Sequence, residues 1–362
     1  MKARIAVLPG DGIGVEVLRE ARKVLEEIGR EFHHEFETVE GDIGAAAITR
    51  HGEALPERTR EICISAQAVL LGAVGLPTSD NPDSPPRPET GLLELRSLLG
   101  NYANLRPVTV KESLIDSSPL RPERIRGVDL LIVRELLGGI YFGLPRGIKN
   151  GAAYNTEVYS EEQVRRVARI AFTLAGKRRK KVVSVDKANV LETSILWRRV
   201  CEIVSLEFPD VGFESIYVDN CAMQLVSDPR KFDVILTNNL FGDILSDEAA
   251  VLEGSLGMLP SASIGGVVGL YEPVHGSAPD IAGRQIANPI GAILSVAMML
   301  EHSFYLTTEA VSIQRAVVRT LEQGYRTADL KPDPSKKELG RPVSTSEMGA
   351  LVCESLKMPD PV

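Results

Sequence analysis

Short apolar runs alternate with longer amphipathic segments along most of the chain, and this alternation restricts the fold more than any other feature. Ile5–Leu8, Ala68–Leu71, Leu130–Val133, Val182–Val185 and Val234–Leu236 are brief, mostly branched aliphatic runs that read as buried strands. Val15–Ile28, Leu92–Leu98, Gln163–Ala175, Ile195–Val204 and Ile244–Leu252 place apolar residues at helical spacing. Parallel strands need long crossovers, so this order predicts an α/β protein with a largely parallel sheet. A length of 362 residues suggests two domains and is ample for a sizeable core.

Composition narrows the function classes. A net charge of −8 argues against a general nucleic-acid binder, and the one basic run, Lys177–Lys181, reads as a solvated connector between a helix and a strand. Cys63, Cys201, Cys221 and Cys353 are far apart and lack metal-ligand spacing, so they read as reduced, mainly buried thiols of a cytoplasmic protein. The N-terminus enters a strand directly, which leaves no room for a signal peptide. Ile290–Leu300 is the longest apolar run and is too short to span a bilayer, so no membrane partner is expected. The proline-rich loop Pro77–Pro88 leads into Glu89–Arg96 and is expected near the active site.

Five groups of residues carry chemistry. Leu8-Pro-Gly-Asp-Gly-Ile-Gly14 invites a dinucleotide-binding reading, but Gly10, Gly12 and Gly14 give G-x-G-x-G rather than G-x-G-x-x-G; a tight strand-to-helix turn explains it equally well. Arg96, Arg106 and Arg134 each lie at or near the end of an element, and their planar forks suit carboxylates, although each alone reads as an ordinary surface or structural arginine. Lys187 directly follows a strand run, where an α/β site usually lies and where a desolvated lysine can act as a base; an exposed loop lysine is the plainer alternative. Asp219 also reads as ending a strand. Asn239-Leu-Phe-Gly-Asp243-Ile-Leu-Ser-Asp247 reads as a strand end followed by a helix that carries two aspartates one turn apart. Like charges at that spacing weaken a helix by a few tenths of a kcal/mol. A solvated acidic face would be the simple explanation, but Phe241, Ile244, Leu245 and Ala249 make the segment largely apolar. With Asp219 they could form three hard oxygen ligands suited to Mg²⁺ or Mn²⁺, and the scattered histidines speak against zinc.

Together these residues resemble the β-decarboxylating dehydrogenases of the isocitrate/isopropylmalate dehydrogenase family. The motifs LPGDGIG, RPETGLLELR, ANLRP, VRELLGGIYFG, VDKANVL, NLFGDILSDEAA, and EPVHGSAPDIAG followed by ANP occur in the family's order across nearly the whole chain. The resemblance implies a two-domain α/β fold with a largely parallel central sheet that is not a Rossmann fold. Residues 1–101 with 254–362 would form the cofactor-side domain, and 102–253 a second domain carrying an arm and the dimer interface.

The resemblance also implies residue roles. Arg96, Arg106 and Arg134 would bind two carboxylates, and Asp219, Asp243 and Asp247 would hold Mg²⁺ or Mn²⁺, with Asp219 also near the substrate. Lys187 would take the hydroxyl proton and Tyr141 would protonate carbon. Leu92, Leu93 and Val190 would wall an apolar pocket suited to an isopropyl group. NAD would lie on Ile13, Glu89, His275, Gly276, Ser277, Ala278, Asp280 and Asn288, with the Asp280 carboxylate favouring NAD over NADP. Lys187 and Asp219 would come from the second subunit of a homodimer. The implied activity is NAD-dependent oxidative decarboxylation of 3-isopropylmalate to 4-methyl-2-oxopentanoate in leucine biosynthesis.

A relative acting on tartrate, malate or homoisocitrate is the alternative within the family, and Leu92 and Leu93 speak against it. A metal-dependent phosphoryl hydrolase would use the aspartates but leave Lys187 and Tyr141 idle, and a non-catalytic binding module would leave the charged residues at strand ends unexplained. One departure from the family pattern is Val15, where proline is expected after GDGIG; it predicts only a small effect on stability.

Overall fold

The computed structural model describes residues 1–76, 87–330 and 340–358. Residues 77–86 of the proline-rich loop, for which a place near the active site is expected, lie outside the described residues. The chain divides into two compact units. The first comprises 1–100, 111–119 and 253–362, and the second 101–110 and 120–252. The short segment 111–119 thus clusters with the first unit rather than with its sequence neighbours.

In the first unit, five strands lie in the order Glu35–Glu40, Lys2–Gly10, Ala68–Ala73, Gly269–Pro273, Pro260–Ile264. All neighbours are parallel except the last pair. Ala68–Ala73 is buried along its whole length, as a strand covered on both faces must be. One face packs Leu8, Leu71 and Leu270 against Ile43, Leu55 and Leu95. The apolar run near residue 290 forms the helix Ile290–His302, all but the end of which is buried. A helix that is apolar all round belongs inside a core. Among the described residues, no helix is long and apolar enough to cross a membrane.

In the second unit the order is Ala103–Thr109, Asp129–Glu135, Val234–Thr237, Lys181–Asp186, Gly212–Tyr217. Only Ala103–Thr109 runs antiparallel to its neighbour. The register places Arg134 beside both Asn104 and Thr237, and Thr237 beside Val185, so three parallel strands end level with one another. Arg106 pairs with Ile132, two residues before Arg134, so both arginines project from the same face of the sheet. The helix Asn239–Ala250 packs over that face, against both strands.

Every strand and helix expected from the alternation is present, with shifted boundaries, and four local readings change. Asn239–Ala250 is helical throughout: the strand ends at Thr237, and the Asn238 side chain caps the helix by accepting the Phe241 N–H at 2.8 Å. Asp219 does not end a strand but sits in the first turn of the helix Val218–Ser227, where a carboxylate suits the helix dipole. Arg106 is in the middle of its strand rather than at its end, since Pro107 and Val108 continue the pairing. The basic run Lys177–Lys181 is a connector, but it is not simply solvated: Arg178 donates to Asp233 and Asp129 at 2.9 Å each. Cys63, Cys201 and Cys221 are buried free thiols, and Cys353 is half-buried.

Candidate active site

Four strand-to-helix junctions of the second unit, after Glu135, Asp186, Tyr217 and Thr237, carry Arg134, Tyr141, Lys187, Val190, Asp219, Asp243 and Asp247. At the first, Arg134 is 1% exposed. Its Nε and Nη2 donate to Asn239 Oδ1 at 3.1 and 2.7 Å, and Nη1 donates to Asp243. Arg106 lies alongside. Its Nε donates to Asn104 Oδ1 at 2.7 Å, Nη1 to Ser246 Oγ at 2.5 Å, and Nη2 to Asp243 Oδ1 at 3.4 Å. Two arginine forks side by side are donors suited to the carboxylates of a small ligand.

Tyr141 follows Arg134 through a tight turn and ends in the short 3₁₀ turn Gly139–Tyr141. Its hydroxyl donates to Asp243 Oδ2 at 2.9 Å, and the Arg134 guanidinium lies 5.7 Å from the ring centre. Burial and the Asp243 carboxylate hold the phenol above its ordinary pKa, against the opposing pull of Arg134 and Arg106. The phenol is therefore neutral at pH 7 and can donate a proton. Asp247 sits one turn beyond Asp243, its Oδ1 3.7 Å from Arg106 Nη1. Burial raises its pKa, Arg106 opposes this, and Asp243 adds to it. The like-charge pair at i, i+4 is thus real, and Arg106 and Arg134 hold it in place.

Lys187 directly follows the strand Lys181–Asp186, and its Nζ donates to Asp219 Oδ1 at 2.5 Å. That bond lowers the Asp219 pKa. The Tyr217 ring lies 6.0 Å from Lys187 Nζ and 5.0 Å from the Arg198 guanidinium. Asp186, 1% exposed, anchors the junction with a two-pronged bond to Arg198 and a bond from the Ala188 N–H. Val190, in the same turn, is 67% exposed.

The single chain therefore makes two separate clusters, one on Asp243 and one on Asp219. Among the described residues, no group of three or more His, Cys, Asp or Glu side chains is placed to hold a metal ion. Asp243 and Asp247 are hard carboxylate donors on one helix face, and Asp247 is more than half exposed. That donor set fits a divalent cation such as Mg²⁺ or Mn²⁺ once further oxygen ligands join it.

In the first unit, Arg96 is buried in the last turn of Pro88–Leu99 and donates to Glu272 at 2.8 Å, while its Nε is buried without a partner. Leu92 packs against the core, and Leu93 is half-buried. Glu89 lies at the start of the same helix, and a Cβ on Gly75 would come within 2.7 Å of its carboxylate.

The expected cofactor residues form one small assembly. The Ile13 N–H donates to the Ser277 carbonyl at 2.8 Å. Gly12 has φ +54°, and a Cβ there would lie 2.0 Å from the same carbonyl, so only glycine permits this approach. GDGIG is thus a strand-to-helix turn that seats the 275–280 loop. His275 Nδ1 donates to the Gly276 carbonyl, while Nε2 is buried with no partner, an orphaned group that a bound ligand could satisfy. Burial depresses the His275 pKa, so the ring is neutral. Ala278 takes φ +37°, and Gly276 and Asp280 are exposed. Asn288 is buried and already bonded to Asp329. These residues fit a dinucleotide.

Asn239, Asn104, Ser246 and Glu272, which hold the arginines, are barely marked in the sequence. The only signal for them is a polar residue inside or beside an apolar run.

Cationic forks, carboxylates and a neutral phenol gathered where parallel strands end describe an α/β enzyme acting on a small anionic substrate. The chain belongs to the isocitrate/isopropylmalate dehydrogenase family, whose model matches residues 4–352. It is 56% identical over 356 residues to a 3-isopropylmalate dehydrogenase of Thermotoga maritima, covering 98% of this chain and 99% of that protein. An isocitrate dehydrogenase structure from Methylococcus capsulatus superposes with a TM-score of 0.86 at 36% identity, covering 98% of this chain and all of the other. A β-decarboxylating dehydrogenase structure from Thermococcus kodakarensis gives a TM-score of 0.77 at 37% identity, covering 98% and 96% of the two chains. The protein is accordingly an oxidoreductase, a decarboxylating dehydrogenase acting on a small molecule.

Proposed function

We propose that this enzyme converts 3-isopropylmalate to 4-methyl-2-oxopentanoate in leucine biosynthesis, using NAD⁺ and Mg²⁺ or Mn²⁺. The observation that carries this reading is the Asp243 cluster, in which two arginines and a neutral tyrosine converge on one carboxylate. High identity to a named 3-isopropylmalate dehydrogenase supports the substrate.

Arg96, Arg106 and Arg134 supply planar forks for the two carboxylates of the malate core. Leu92, Leu93 and Val190 offer the apolar surface that an isopropyl group needs. Lys187, as the neutral amine once its ammonium has released a proton to solvent, takes the C2 hydroxyl proton. Tyr141, kept protonated by burial and by Asp243, delivers a proton to C3 after CO₂ departs. Bound NAD⁺ would supply the hydride acceptor and a bound divalent cation would supply charge stabilisation for the C2 oxygen. Asp219, Asp243 and Asp247 would hold that cation. Ile13, Glu89, Asn288 and the loop from His275 to Asp280 would hold NAD⁺, with the exposed Asp280 carboxylate available to the ribose hydroxyls.

The functional unit in this reading is a homodimer in which Lys187 and Asp219 reach the partner's Asp243 cluster. The separation of the two clusters within one chain supports this. So do Met223, Val226, Ile244 and Val251, exposed apolar side chains on or just beyond the helices that carry Asp219 and Asp243. The fully exposed hairpin Gly147–Tyr154 would be the arm. Residues 1–101 with 254–362 would form the cofactor side and 102–253 the dimerising side. Free buried thiols suit the cytoplasm.

Purified protein with 3-isopropylmalate, Mg²⁺ and NAD⁺ is expected to form NADH with release of CO₂. NADH formed with malate, tartrate or homoisocitrate but not with 3-isopropylmalate would overturn the substrate assignment.

A further inference from the structure

Glu135 follows Arg134 directly, has a fully buried side chain, and has no part in the chemistry above. A buried carboxylate is costly unless its oxygens are bonded. Here Oε1 accepts the Leu137 N–H at 3.0 Å and Oε2 accepts the Gly138 N–H at 2.7 Å. Arg166 Nη2 lies 3.6 Å from Oε1. The side chain thus bonds the backbone two and three residues ahead of it and closes the segment into a fixed turn.

The carbonyls of that turn are held as well. Asn239 Nδ2 donates to the Leu136 and Gly138 carbonyls at 3.0 and 3.2 Å, while Asn239 Oδ1 grips Arg134. The Tyr159 hydroxyl accepts the Asn239 N–H at 3.0 Å, and the Tyr159 ring stands where a Cβ on Gly138 would lie. Both the donors and the acceptors of residues 136–138 are therefore anchored inside protein. A solvated turn could leave its N–H groups to water and would need no buried charge. This turn carries the chain from Arg134 to Tyr141, whose hydroxyl must arrive at Asp243.

We propose that Glu135 is a positioning residue: its carboxylate fixes the turn at 136–138 and so places the Tyr141 hydroxyl on Asp243 for proton delivery. This rests on the reading of Tyr141 as the proton donor. Glu135→Gln keeps the shape but presents an amide NH₂ to one of the two N–H donors, so one bond is lost and the turn loosens. The expected result is a kcat lower by about tenfold or more, since general acid catalysis is worth roughly 10²–10⁴. The KM values for substrate and NAD⁺ should change less than about threefold.

A double-mutant cycle supplies the readout that general loosening of the fold would not give. If Glu135 acts through Tyr141, Glu135→Gln should cost nothing further in a Tyr141→Phe background. Full additivity of the two losses overturns the proposal. A second measurement does not depend on activity. With 3-fluorotyrosine incorporated, the ¹⁹F resonance that disappears in Tyr141→Phe should shift in Glu135→Gln, and an unmoved resonance overturns the positioning role. If Glu135→Gln does not fold, Glu135→Asp, which keeps the charge but shortens the reach, should shift the same resonance with a smaller loss of kcat; no shift overturns the proposal. Should Tyr141→Phe retain full kcat, the donor reading falls, while the ¹⁹F shift still decides whether Glu135 places the ring.

Discussion

Asp243 shows how one residue changes meaning with its surroundings. On the sequence it is half of an unfavourable like-charge pair. In the fold its oxygens receive Arg134, Arg106 and Tyr141, so the repulsion from Asp247 is offset by two guanidinium groups. Glu135 has the opposite balance. Burial pushes its carboxyl up to about 6 from 4.5, against the pull of the Leu137 and Gly138 N–H groups and of Arg166. Tyr159 also feels its charge. An acid whose folded pKa is raised binds its proton more tightly when folded. Its contribution to stability is therefore largest below pH 4.5 and is lost as pH rises toward 6. The gap from 4.5 to about 6 corresponds to about 2 kcal/mol. Urea unfolding of the wild type and of Glu135→Gln at several pH values checks this. The stability of the wild type relative to the variant should fall by about 1.6 kcal/mol between pH 4.5 and 7. A constant difference, or a rising one, would show that the carboxyl is not raised.

At the scale of elements, the junctions explain why the site was legible in part. Strands and helices stood out because hydrophobic period and burial agree, as in Ala68–Ala73 and Gln163–Ala175. Lys187 was legible because a charge directly after a buried run has few places to go except the end of a sheet. Asp219 was placed on the wrong element because Gly212–Tyr217 is only half-buried and carries weak apolar alternation, so its end is not marked. Glu135 and Asn239 are not legible in the sequence because their value lies in bonds to backbone groups that only the turn brings near.

The helix Asn239–Ala250 bears on the site through packing as well as chemistry. A Cβ on Gly242 would lie 2.7 and 2.8 Å from Arg134 Cγ and Cβ, and Arg134 is pinned by Asn239 and Asp243. Alanine would gain up to about 1 kcal/mol of helix propensity. Overpacking against a locked side chain costs about 1–3 kcal/mol, so the clash should win. Gly242→Ala is expected to lower stability and to raise the substrate KM by moving Arg134. Calorimetry and initial rates check it, and an unchanged Tm with unchanged KM would show that Arg134 has room to yield.

For the whole molecule, the question is whether one chain is enough. Within it, Lys187 spends its charge on Asp219, and Asp243 is bonded to Arg134, Arg106 and Tyr141. A reaction that needs both a base and an acid at one carbon framework needs these clusters together. A two-fold dimer can provide that, because each chain then lends to its partner the group it receives. Lys187→Ala and Asp243→Asn homodimers are each expected to be nearly inactive. In a hybrid dimer one site holds Lys187 from one chain and Asp243 from the other, both intact, while the second site holds both defects. With equal mixing, about half the dimers are hybrids and half of their sites are whole, so activity should recover to about a quarter of the wild-type level. Subunit exchange followed by mass spectrometry, and an NADH assay on the mixture, measure this. Exchange with no recovery would place Lys187 and Asp243 in the same chain's site and remove the reason for a dimer.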